Sequence, residues 1–124
     1  TDVAVGAHGA SLAWLVLMSG RAGAVIEVLP AQLAEELFFC PEVWGGSPLG
    51  HYGGLARLSG LHHVCIRAHD VRPGDTAADR GFTWRQVLMW KQENFEVDTR
   101  KLRRWVADAI GRVQGRRARR CESP

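Results

Sequence analysis

Two short runs of apolar, mostly β-branched residues, Val3–Ala7 and Ala24–Leu29, are separated by an apolar stretch of helical character, Leu12–Ser19. β-branched runs of this length suit strands of a buried sheet, and an apolar segment between them suits a helix packed on it. The alternation continues. Pro30 closes the second run, Ala31–Phe39 reads as a short helix, and Glu42–Gly50 reads as a glycine- and proline-rich loop. Tyr52–Ser59 is a further helix candidate with Gly60 as its left-handed stop, and His63–Arg67 is a third strand candidate. Strand, helix, strand, helix, strand is the order that builds a parallel sheet with right-handed crossovers. The expected fold class is therefore α/β, a Rossmann-like parallel sheet with flanking helices.

The C-terminal third begins with a polar loop, Asp70–Gly81, and a helical turn or two over Trp84–Trp90. The clearest single element comes last. Asp98 is a good N-cap, and Leu102, Trp105, Val106, Ala109, Ile110 and Val113 recur at helical spacing. They predict a helix over about Thr99–Arg112 with one apolar stripe. Beyond it, Arg112, Arg116, Arg117, Arg119 and Arg120 face the lone acid Glu122, so the formal charge of +3 belongs to this end of the chain. The expected organisation is one domain over residues 1–113 and a flexible basic tail over 114–124. Such a tail is either a solvated terminus or a patch for phosphates and acidic surfaces.

Composition narrows the function classes. With 46% hydrophobic and 23% charged residues, the chain is neither disordered nor collagen-like. No apolar run reaches the roughly 18 residues that would span a bilayer. Thr1 opens the sequence, so the chain reads as cut from something longer, with any signal or anchor upstream. Cys40, Cys65 and Cys121 show no metal-binding spacing, and His51, His62, His63 and His69 are scattered, read as structural or solvated. The expectation is no metal. A Cys40–Cys65 disulfide is open if the chain enters an oxidising compartment. No Ser-His-Asp set or P-loop lysine is present.

Two features fall at the carboxyl ends of neighbouring strand candidates. One is the turn Gly6-Ala7-His8-Gly9-Ala10-Ser11. Glycine lets backbone approach a ligand closely, and the free N–H groups at the start of the next helix suit a phosphate or pyrophosphate. His8 and the Ser11 hydroxyl add donors. The plainer reading is a tight connection. The other feature is Glu27, a lone carboxylate in an apolar strand. It is either a paired surface carboxylate or the acid that holds ribose hydroxyls, as in other open α/β sheets. Trp14, Trp44, Trp84, Trp90 and Trp105 read as packing residues, with Trp44 in a loop where it could line a pocket.

The run Val5-Gly6-Ala7-His8-Gly9-Ala10-Ser11-Leu12, with Ala24-Val25-Ile26-Glu27-Val28-Leu29-Pro30 after it, resembles glycosyltransferase family 61. That family shows a hydrophobic strand, Gly-x-His-Gly-Ala, an apolar helix and a Val-Glu-x-x-Pro-like segment. His51-Tyr52 with Leu55-Ala56 and Gly60 is similar to its Tyr-x-x-Leu-Ala and following Gly. The stretch from Trp90 to Asp98, with its helix, is similar to the family's C-terminal Val-Asp and closing helix. Together these cover about Val3–Val113.

The resemblance implies a GT-B enzyme in which this chain is the partial second, donor-binding domain, without its first strands and without the acceptor-side domain. It implies that His8, Gly9, Ala10 and Ser11 hold the donor pyrophosphate and that Glu27 holds ribose. The implied reaction transfers a sugar, N-acetylglucosamine or xylose, from a UDP-sugar to a hydroxyl of a glycan or glycoprotein, with inversion. The donor is a substrate, and no cofactor or essential metal is implied. The catalytic base is unknown from this chain, and the fragment alone is expected to be inactive. The implied place is the lumen of the Golgi or endoplasmic reticulum, with membrane attachment only through an upstream anchor. Two alternatives are a non-catalytic nucleotide-binding module derived from such an enzyme and, through the basic tail, a nucleic-acid binder; the expectation is no nucleic acid.

Overall fold

The structure, a computed structural model, describes residues 2–9, 12, 17–18, 23–30, 40–45, 51–70 and 95–121. Strands β1 (Val3–Ala7), β2 (Ala24–Pro30) and β3 (His62–Asp70) pair in parallel. A two-residue strand, β4 (Phe95–Glu96), adds antiparallel to the end of β3, giving the sheet order β1-β2-β3-β4. Helix α1 (His51–Leu58) lies between β2 and β3 in the chain, and α2 (Thr99–Cys121) follows β4. The architecture is α/β, as the alternating pattern predicts. The helix candidates within 12–19 (beyond Leu12, Leu17 and Met18), 31–39 and 84–90, and the loops 46–50 and 71–81, lie outside the described residues.

β2 is buried at every position because both of its faces are covered. Its even residues Ala24, Ile26 and Val28 pack with Val64, Ile66 and Ala68 of β3 and with Ala109 and Val113 of α2. On the other face, Val25 packs with Leu12 and with Ala56 and Leu61, which belong to α1 and its exit. The period-two alternation of a strand therefore feeds two separate cores. Burying such side chains stabilises by about 1.5–3 kcal/mol each. β1, expected as a buried strand, is half-exposed, with Val5 46% accessible. It forms one edge of the described sheet, so only one side of it has a neighbour.

Local signals set the helix ends. Asp98 Oδ1 accepts from the N–H groups of Arg100 (2.8 Å) and Lys101 (3.2 Å), satisfying donors of the first turn of α2. Those bonds hold the Asp98 carboxyl below its usual range. Gly60, at φ +69°, ends α1 in a Schellman arrangement: Leu61 N donates to Ala56 O (2.8 Å) and Gly60 N to Arg57 O (3.0 Å). Gly6 has a different reason to be glycine, because a Cβ there would lie 2.8 Å from Leu12 Cδ2.

α2 continues well beyond Arg112, to Cys121, so most of the stretch read as a basic tail is helical. The apolar stripe stops at Val113, and polar contacts take over from it. Arg116 Nη1 donates to Gly60 O (2.9 Å), and Arg117 pairs with Asp2 at the start of β1.

Cys40 and Cys65 are joined by a disulfide, and both are buried. It ties residues 40–45 along β3. There Arg67 donates through Nε and Nη2 to Cys40 O (3.2 and 3.1 Å), and Arg67 N donates to Glu42 Oε1 (2.7 Å). Glu42 also pairs with Lys101 of α2. Closing a loop of 25 residues restricts the unfolded chain by about 3–4 kcal/mol in the chain-entropy view. Cys40→Ser/Cys65→Ser is therefore expected to lower unfolding stability by that order. Urea unfolding with and without the bridge measures it; superimposable curves would contradict the assignment.

Candidate functional site

Among the described residues, Glu27 is the one acid in the core of the sheet, 2% exposed. It lies opposite Gly6 of β1 and Cys65 of β3 in the strand register. Strand parity aims its side chain at the α1 face, alongside Val25. There it meets two imidazoles. His8, from the turn after β1, contacts Oε1 through Nδ1, and His63, from the start of β3, contacts Oε2 through Nε2 at 2.7 Å. All three side chains are at most 5% exposed.

Burial alone pushes the Glu27 carboxyl up. The hydrogen bonds from His63 and His8, and then the positive charge of those rings when protonated, outweigh it and hold the group at about 2 against an ordinary 4.5. An ionised carboxylate only accepts, so both ring nitrogens must donate. His8 is thereby fixed with its proton on Nδ1, and His63 with a proton on Nε2. This is the arrangement that neutralises a buried charge by pairing it.

The turn itself is pinned to the sheet. His8 N donates to Val28 O (2.8 Å), and Leu12 N donates to Gly9 O (3.0 Å). Tyr52, in the first turn of α1, stands edge-on to the His8 ring with centroids 5.2 Å apart. Its hydroxyl is pushed up from the usual range, first by burial and then by the negative charge of Glu27. The carboxyl ends of β1 and β2 thus carry a rigid corner built of His8, Gly9 and Tyr52 over a buried charge.

Of the residues singled out from sequence, the structure brings His8 and Glu27 into direct contact and places Gly9 beside them. Ala10 and Ser11 lie outside the described residues. The sequence reading missed His63, taken there as structural or solvated. Its signal was available only through register: His63 pairs with Val25, which puts it on the Glu27 face of the neighbouring strand. Both Glu27 oxygens already accept from imidazoles, so the carboxylate acts first as the anchor of His8.

A His-Glu-His set invites a metal reading. Among the described residues no group of three or more His, Cys, Asp or Glu side chains fits a metal. Among the same residues, no helix is long and apolar enough to cross a membrane. No family model, curated protein or solved structure matches the chain.

The depressed Glu27 acidity has a signed consequence. Its stabilisation is fully present above the unfolded value near 4.5 and is lost as pH falls toward about 2. The whole shift corresponds to about 3 kcal/mol. Glu27→Gln should lower stability at neutral pH by a few kcal/mol and flatten the loss between pH 4.5 and 2 by about one proton. Urea unfolding across that pH range checks it; parallel pH slopes for both proteins would contradict it.

Proposed function

We propose that the chain is the donor-binding half of a glycosyltransferase of family 61 type, a partial Rossmann-like domain of a GT-B enzyme. One observation carries this reading: the His8 turn stands at the carboxyl end of a parallel sheet and is locked by an acid from the next strand. Ligands of open α/β sheets bind outside the carboxyl ends of the strands. The sequence resemblance points to the same turn and the same acid.

In this proposal the N–H groups after His8, with Ala10 and Ser11, hold the diphosphate of a UDP-sugar. The His8 ring, oriented by Glu27 through Nδ1, turns Nε2 toward the phosphate or the sugar and donates from it when the ring carries its second proton. Glu27 contributes by holding that ring; for Glu27 to bind ribose directly, a hydroxyl would have to share Oε1 with His8. The donor sugar is N-acetylglucosamine or xylose, and the acceptor is a hydroxyl of a glycan or glycoprotein. A base outside this chain removes the hydroxyl proton, and the oxygen attacks the anomeric carbon in line. The bond to the diphosphate breaks, configuration inverts, and UDP leaves with its charge met by the turn. The Cys40–Cys65 bridge supports an oxidising lumen as the place of work.

The test is a thermal-shift and calorimetric panel of UDP, GDP and UDP-sugars on the intact protein. UDP and at least one UDP-sugar are expected to stabilise it, with GDP weaker. His8→Ala should weaken UDP binding by about tenfold or more, the worth of one charge-assisted hydrogen bond. No response to any uridine nucleotide, or unchanged affinity in His8→Ala, would overturn the proposal.

A further inference from the structure

A concave surface opens at the amino-terminal start of β3, at the opposite end of the sheet from the His8 turn. It is a cleft of about 470 Å³, lined by Trp44, Arg57, His62, His63, Arg112 and Arg116, with glycines and Leu61 completing the wall. Its size falls within the range of small-molecule sites. The arginines come from two elements: Arg57 from the last turn of α1, Arg112 and Arg116 from successive turns of α2.

No carboxylate is among the described lining residues. Like charges one helical turn apart repel each other, so Arg112 and Arg116 gain nothing from their mutual placement. The acid beside them, Asp108, is already engaged: Arg112 Nε donates to its Oδ2 at 3.1 Å, and Trp44 Nε1 donates to the same oxygen. The Arg57 side chain forms no hydrogen bond or ion pair with a described residue. His62 registers the local field. Its ring is held below the usual histidine range, first by burial and then by Arg116, Arg112 and Arg119.

The cleft is also held in shape. Gly45 N donates to His63 O at 2.7 Å, which fixes the Trp44 segment along β3. Trp44 stands edge-on to both His62 and Trp105, with centroids 6.2 and 5.7 Å apart, and the Arg112 guanidinium lies 4.9 Å over its ring. Arg116 is steadied by its bond to Gly60 O. Guanidinium groups set on rigid supports around a hollow are suited to bidentate recognition of an oxyanion.

From these observations we propose that this cleft binds a small phosphate or sulfate ester through Arg57, Arg112 and Arg116. The site is separate from the nucleotide crevice and does not depend on the glycosyltransferase reading.

The test follows the Nε–H signals of these arginines and of Trp44 by NMR as the intact, labelled chain is titrated. The probes are glucose 6-phosphate, glucose 6-sulfate and glucose itself. At least one ester should shift those signals while the Gly9 amide stays still, and glucose should not. A response to one ester alone identifies the ester. Arg57→Gln, which removes no side-chain hydrogen bond or ion pair to a described residue, should weaken ester binding by about tenfold. Arg57→Gln/Arg112→Gln should abolish it, with the remaining spectrum showing an intact fold. Silence with both esters, equal shifts with glucose, or undiminished binding in Arg57→Gln would overturn the proposal.

Discussion

A negative charge buried between strands is the constraint around which this sheet is arranged. Glu27 is 2% exposed in the most covered strand of the fold. An unpaired carboxylate there would cost several kcal/mol. The two imidazoles that meet it come from residues 19 and 36 positions away, one in the turn after β1 and one on β3. The same pairing that makes the charge tolerable also draws the turn after β1 toward β3 across β2. It leaves His8 with a defined tautomer and a defined place at the carboxyl end of the sheet.

The rest of the fold serves that arrangement in layers. The alternation along β2 divides the core, so α2 covers one face and α1 with Leu12 the other. The charged set lies on the α1 side, where Tyr52 closes over His8. On the far flank of β3 the disulfide and the Glu42 contacts hold residues 40–45 against the sheet. That same segment delivers Trp44 to the arginine-lined cleft. The charged set and the cleft thus share one support, and His63 contributes to both: it bonds Glu27 and lines the cleft.

Much of this was legible in the sequence where the signal is local. β-branched runs marked β1, β2 and β3, Gly60 marked the end of α1, and Asp98 marked the start of α2. The neighbourhood of His8 and Glu27 followed from their positions at the ends of consecutive parallel strands. What was not legible depends on pairing across distance. His63 looks like any strand histidine until its register with Val25 is known. The Cys40–Cys65 pairing needed coordinates, because three cysteines without a motif permit several outcomes. The extension of α2 to Cys121 was hidden for another reason: beyond Val113 it is held by arginine contacts to Gly60 and Asp2, which no hydrophobic period reports. β4 is only two residues long and carries no pattern of its own.

The central claim is that one ionised carboxylate accepts protons' bonds from both imidazoles at once. NMR of the imidazole nitrogens and their protons in the ¹⁵N-histidine-labelled protein tests this most directly. The account predicts two exchange-protected ring N–H signals, assigned to His8 Nδ1 and His63 Nε2, both shifted downfield by a carboxylate partner and both absent in Glu27→Ala. A His8 ring protonated only on Nε2, or a pair of signals indifferent to the loss of Glu27, would contradict it.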